Sequence, residues 1–258
     1  MELYWKGYKW MNGQPWGVAH TNKNHVWYAD EKETWVVNSF EGKDGEFLKQ
    51  SINNEKKYFK EIERTKEFGC GCISSYDRFR YGDFHFEYKL PKGTHLWPAI
   101  WLSGWDSWPP EIDIVEGWSG NGYFFKNKPN YKRFPLFNNI HPGVFYTTDE
   151  NRITHGKGYG SFGSDKATYS WLQKTDKWNS CDLKWRKDLI EVYYNKKCVM
   201  RIDENTQDRG YRIMDFMNKD MYVCIDLFAG DNFTQKDYEE YQNIGSNFVI
   251  REFTYKFV

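Results

Sequence analysis

The chain has 258 residues, 36 basic and 36 acidic side chains, a formal net charge of zero and 20% aromatic residues. So aromatic a composition excludes a disordered chain. The neutral balance argues against a nucleic-acid partner, which needs surplus Lys and Arg to neutralise phosphates, and against a polybasic membrane anchor.

No basic stretch followed by an apolar run opens the chain at Met1-Glu2-Leu3-Tyr4-Trp5-Lys6, so no signal peptide is expected, and no run approaches the length of a spanning helix. Helical pattern is weak, with a turn or two of helix expected around Lys49 to Lys66. Cys70 and Cys72 share one face if their segment is a strand. With five cysteines and no Cys-x-x-Cys pair, the expectation is buried, reduced thiols and no metal site. Phe84-His85-Phe86-Glu87-Tyr88-Lys89-Leu90 alternates apolar and polar residues between two turn-like segments, Tyr81-Gly82-Asp83 and Pro91-Lys92-Gly93, and predicts a half-buried strand. Trp97 to Leu102 and Glu111 to Glu116 predict two more strands, and Thr147 to Thr168 reads as loop. Leu189 to Tyr194 runs into Asn195-Lys196, a hairpin turn. Met221 to Phe228 and Phe248 to Tyr255 complete the strands, with a short helix around Asp237 to Tyr241. Only eight prolines occur, and no linker or repeat divides the chain. A single all-β domain over 1–258, a sandwich or jelly roll of antiparallel sheets, is the expected architecture.

The chemistry concentrates in Glu111-Ile112-Asp113-Ile114-Val115-Glu116. In a strand, Glu111 and Asp113 share a face, whereas Glu116, five residues from Glu111, points to the other. A β-bulge near Ile114-Val115 resets that parity and places all three carboxylates on one side, with Ile112 and an apolar neighbour facing the core. Three acids together are a poor structural device. They suit a retaining glycosidase, in which one carboxylate attacks the sugar and a second carboxyl group acts as acid and base. The plain alternative is a solvent-facing acidic edge. Trp97, Trp101, Trp105, Trp108 and Trp118 surround the acids and offer either core packing or rings on which the apolar faces of sugars stack.

The succession Tyr81-Gly82-Asp83-Phe84, Lys89 to Gly93, Trp97-Pro98-Ala99-Ile100-Trp101-Leu102 and Glu111 to Glu116 resembles glycoside hydrolase family 16, in its laminarinase, agarase and carrageenase-like branch with the bulged acid motif. The resemblance implies a β-jelly roll with a concave substrate cleft, in which Glu111 is the nucleophile, Asp113 the assisting acid and Glu116 the general acid/base. It implies cleavage of internal β-glycosidic bonds with retention, on a polysaccharide of β-1,3-glucan or galactan type. Trp97, Trp101, Trp108, Trp118, His141, His85, Glu87 and Asp226 are the expected substrate contacts. His85 and Glu87 stand where the family commonly has Glu and Arg, Asp226 where Asn is frequent, and Pro110 where Gly precedes the first acid. The family setting also implies an extracellular or periplasmic home, a monomer, no required cofactor and at most a structural calcium ion. The alternatives are a jelly roll that binds carbohydrate without cleaving it, as in an adhesin or virion surface module, and a transglycosylase.

Overall fold

The structure, a computed structural model, describes residues 3–15, 34–37, 40–41, 47–59, 64–118, 139–147, 159–163, 173, 175, 177–229, 233–245 and 247–258. In chain order the strands are β1 (Leu3–Trp5), β2 (Tyr8–Asn12), β3 (Thr34–Val37), β4 (Phe40–Glu41), β5 (Leu48–Gln50), β6 (Asn53–Phe59) and β7 (Arg64–Ser75). There follow β8 (Gly82–Lys89), β9 (Leu96–Gly104), β10 (Glu111–Trp118), β11 (Asn139–Thr147), β12 (Tyr159–Gly163) and β13 (Trp178–Trp185). The remainder are β14 (Leu189–Tyr194), β15 (Lys197–Asp203), β16 (Gln207–Asp208), β17 (Tyr211–Arg212), β18 (Met221–Ala229) and β19 (Phe248–Lys256), with helix α1 (Gln235–Ile244) between the last two.

Among the described residues, two large sheets form. The first runs β1-β2-β7-β18-β9-β10-β11-β12, with β3 and β6 also paired to the long β7. The second runs β15-β14-β13-β8-β19-β5-β4. Pairing is antiparallel except for β3, which lies parallel to β7. The predicted all-β sandwich is therefore the observed architecture.

The period-two pattern of β8 is realised as a strict alternation: Phe84, Phe86 and Tyr88 are fully or almost fully buried, while His85 and Glu87 are only partly so. β18 is buried at every position, because neighbours flank it on both edges and side chains cover both its faces. The sheets meet through contacts such as the edge-on packing of Trp10 against Phe253, 5.6 Å between ring centroids. Each large apolar side chain withdrawn from water in this core contributes about 1.5–3 kcal/mol. Two polar ties cross the core: Gln50 Nε2 donates to the Ile225 carbonyl at 2.8 Å, and the Tyr194 hydroxyl donates to the Ile114 carbonyl at 2.7 Å.

Three sequence expectations need correction. The stretch from Lys49 to Lys66 is not helical: among its described residues it forms β5, β6 and the start of β7. Lys56 is exposed on β6 and pairs with Glu67 of β7, and mixed charges along the stretch do not make a helical apolar stripe. Within Thr147 to Thr168, Tyr159–Gly163 is a strand on β11, and the other residues past Thr147 lie outside the described set. Cys198 is exposed, unlike the other four thiols. The Asn195-Lys196 turn is as expected, with φ of 47° and 71°, the paired left-handed geometry of a tight hairpin. Helix α1 starts from a capping box, in which Thr234 and Asp237 each satisfy the other's backbone N–H.

Candidate active site

Register fixes the direction of the acids. On one side of β10, Glu111 pairs with Ser103, Asp113 with Trp101 and Glu116 with Ala99. Those three partners are alternate residues of β9 and so share one face, and their acidic neighbours share it with them. The pairing steps by two residues from Trp101 to Ser103 and from Glu111 to Asp113, but by three from Asp113 to Glu116, with Val115 opposite Ile100. Ile114 is the extra residue of a β-bulge. Ile112, Ile114 and Val115 are fully buried, as the predicted parity shift requires.

The bulge leaves a backbone carbonyl that would lack a ladder partner. Tyr194 supplies its hydroxyl from β14 in the other sheet. This anchor, far away in sequence, had no local signal.

The rows extend across the sheet. Glu111 and Ser103 continue to Tyr222, Asp113 and Trp101 to Cys224, and Glu116 and Ala99 to Asp226. On the other side, Phe145, Gly143 and His141 stand opposite Glu111, Asp113 and Glu116. Glu111 and Asp113 are 8% and 5% exposed, so both carboxyl groups sit in a largely dehydrated setting, and Glu116 is more open. Each glutamate takes an indole N–H: Trp108 Nε1 donates to Glu111 Oε2 at 2.8 Å and Trp97 Nε1 to Glu116 Oε1 at 3.0 Å. Burial pushes the Tyr222 phenol well above its ordinary range, with the Glu111 charge adding a smaller push. It therefore stays neutral beside the acid. The Arg78 guanidinium lies over the Trp105 ring, 4.1 Å from its centroid.

The structure brings Glu111, Asp113, Glu116, Trp97, Trp108 and His141 together on one face. Trp118 ends β10 opposite Asn139, and its side chain is outside the described set. Trp101 and Asp226 share that face but are buried to 4% and 2% exposure, with Trp101 Nε1 donating to Asp226 Oδ2 at 2.6 Å. They form the floor of that face beside the acids and, at such burial, present almost no surface to a sugar.

His85 and Glu87 are not at this site. They occupy the outward positions of β8 in the second sheet, whose inward positions fill the core. His85 Nδ1 lies 2.7 Å from Asp182 Oδ1, and this hydrogen bond raises the imidazole pKa above its ordinary value. Glu87 accepts from Arg251 Nε at 2.6 Å, a bond that lowers the carboxyl pKa. The alternation that identifies a strand does not reveal which sheet it joins.

These features make an aromatic-flanked trio of carboxylates on the face turned away from the core. Residues 38–124 match Glycosyl hydrolases family 16. The chain resembles that family. The matched segment contains the acid motif, β8 and β9. A glucan endo-1,3-beta-glucosidase of Cryptopygus antarcticus is 25% identical over 178 residues, covering 67% of this chain and 59% of that protein. A beta-1,3-glucan-binding protein of Penaeus monodon is 32% identical over 137 residues, covering 50% of this chain and 33% of that protein. The chain thus spans less than two thirds of the length of either relative. The laminarinase catalytic domain of Thermotoga maritima superposes with a TM-score of 0.64 at 13% identity, covering 96% of this chain and 91% of that domain. That likeness is one of fold, and it agrees with the jelly roll expected from the sequence.

Proposed function

We propose that the chain is an endo-acting, retaining β-glycan hydrolase, with Glu111 as nucleophile, Asp113 as assisting acid and Glu116 as general acid/base. The observation that carries this reading is the Ile114 bulge, which turns Glu116 onto the face of Glu111 and Asp113. Glu111 attacks the anomeric carbon while Glu116 gives its proton to the departing glycosidic oxygen. Water then attacks the glycosyl–Glu111 ester as Glu116 takes its proton back, and two inversions give retention. Asp113, between the two in the motif, helps set which of them holds the proton. The Trp108 indole orients Glu111, and the Trp97 indole does the same for Glu116. The proposed substrate is a β-1,3-glucan or a galactan. The Cryptopygus relative's name supports the glucan. In a transglycosylase variant of the same chemistry, a sugar acceptor replaces water in the second step.

A binding module without catalysis is the second reading, favoured by the Penaeus relative's name. The three retained acids weigh against it. Purified protein tested on glucans, mixed-linkage glucans, agars, porphyrans and carrageenans should release reducing ends from at least one of them. Glu111→Gln and Glu116→Gln should each abolish release while glycan binding persists. Azide should rescue Glu111→Ala to the inverted glycosyl azide and Glu116→Ala to the retained one. Binding without release by the unaltered chain would transfer the assignment to the binding module. Full activity in either Gln variant would strip that glutamate of its part in the reaction.

A further inference from the structure

On the acid-bearing face itself, two strands away from the acids, lies a second cluster that the glycosidase chemistry does not use. Cys72 on β7 pairs in register with Asp226 on β18, and Cys224 lies two residues before Asp226 on the same face. The three side chains are 1%, 0% and 2% exposed. Their ligand atoms all lie within 4.8 Å of one another. The Cys72 and Cys224 sulfurs are 3.7 Å apart, and Cys224 Sγ is 3.9 Å from Asp226 Oδ2.

We propose that Cys72, Cys224 and Asp226 form a binding site for a borderline-soft divalent cation of the zinc class. Zinc–sulfur bonds of about 2.3 Å at tetrahedral angles put two sulfurs about 3.8 Å apart, and a carboxylate oxygen about 3.5 Å from each. The Cys72–Cys224 separation already fits, the Cys224–Asp226 separation needs a shift of a few tenths of an ångström, and Cys72 and Asp226, within 4.8 Å of each other, close by the remainder. Calcium does not fit, since it takes six to eight oxygen ligands. The Trp101 indole N–H donates to the Asp226 carboxylate, the supporting bond that orients a metal-ligating group and tunes its basicity. A fourth donor stands beside them: Ser74 is the direct cross-strand partner of Cys224, is fully buried, and its hydroxyl is hydrogen-bonded to the Cys224 thiol. The hydroxyl or a water would complete four-coordination. On binding, two Zn–S bonds and one Zn–O bond form while the two S–H protons pass to solvent, and nothing is oxidised or reduced. The cation would lock the floor residue Trp101, which stands opposite Asp113 in the ladder. The site rests on its own geometry and not on the hydrolase reading.

The test is titration of the full chain, kept reduced, with zinc alone and with cobalt as its spectroscopic substitute. One zinc per chain should bind, and cobalt should give a sulfur-to-metal charge-transfer band with intense tetrahedral bands in the visible. Cys72→Ser, Cys224→Ser and Asp226→Asn should each remove the bands. Trp101→Phe should weaken zinc binding about 10–100-fold, the usual effect of losing such a supporting bond, and Cys198→Ser should change nothing. Absence of the charge-transfer band from the folded, reduced wild-type chain would overturn the proposal even if the variants fail to fold. So would zinc binding that survives in the Cys72→Ser/Cys224→Ser double variant. Neither readout needs glycan cleavage, so a silent enzyme and an empty metal site are separable results.

Discussion

Removing the Tyr194 hydroxyl is the sharpest test of how the second sheet holds the bulge. Tyr194→Phe keeps the ring and its packing but deletes the 2.7 Å bond to the Ile114 carbonyl. Tyr194 and Ile114 are both fully buried, so water does not readily replace the donor. The relevant cost is that of leaving a buried carbonyl unsatisfied, about 1–3 kcal/mol, rather than the smaller net worth of an average hydrogen bond. In a domain of this size each kcal/mol lowers the melting temperature by roughly 2–4 °C. Urea unfolding followed by circular dichroism should show the midpoint fall by a corresponding amount. Turnover on the substrate identified for the wild type should fall further than stability explains, because a relaxed bulge misaims Glu116 relative to Glu111. A variant with unchanged midpoint and unchanged turnover would refute the argument that this bond fixes the bulge.

Other outcomes follow from the same geometry. Trp108→Phe and Trp97→Phe each remove an indole donor from a glutamate, and a hydrogen bond to a charged group is worth about 1.5–3 kcal/mol. The catalytic efficiency kcat/KM should drop about tenfold to a hundredfold in steady-state assays, with little loss of fold. His85→Gln should leave turnover unchanged, since His85 lies on the outer face of the second sheet. The His85 value is raised above 6.5 by the Asp182 hydrogen bond. The pair's stabilisation is therefore fully present below about pH 6.5 and disappears as pH climbs through the raised value. The melting-temperature gap between wild type and His85→Gln should close over that window. Gly82→Ala should be strongly destabilising. The residue has φ of 128°, and an added Cβ would come within 2.9 Å of the Lys256 carbonyl and collide with the Tyr255 ring. Chemical denaturation should register it, and an unaltered midpoint would mean that the turn relaxes freely.

The alternation of β8, the apolar run of β9 and the Asn195-Lys196 turn were legible because each is a local rule: side-chain period or the backbone demand of a tight turn. The acid motif was legible for a related reason. A regular strand turns Glu116 away from the other two acids, so uniting them needs one inserted residue, and Ile114 is that residue. The charged stretch through β6 misled because composition does not separate a helix surface from a strand edge. His85 and Glu87 misled because alternation says that a face is wet and not which face of the molecule it is. The burial of Trp101 and Asp226 beside the acids, and the approach of Cys72 to Cys224, depend on β7, β18 and β9 lying side by side.

The sequence by itself therefore determined the strand character of the chain, its all-β class and the clustering of three acids on one strand, because those follow from pattern along single segments. Tertiary structure alone decided which sheet each strand joined, that Ile114 forms the bulge, that a tyrosine from the opposite sheet seizes the bulged carbonyl, and that two thiols and a carboxylate converge beside the site. Pairing between distant strands is a choice among many registers, settled by the joint burial of whole faces, and no short stretch of chain carries that information.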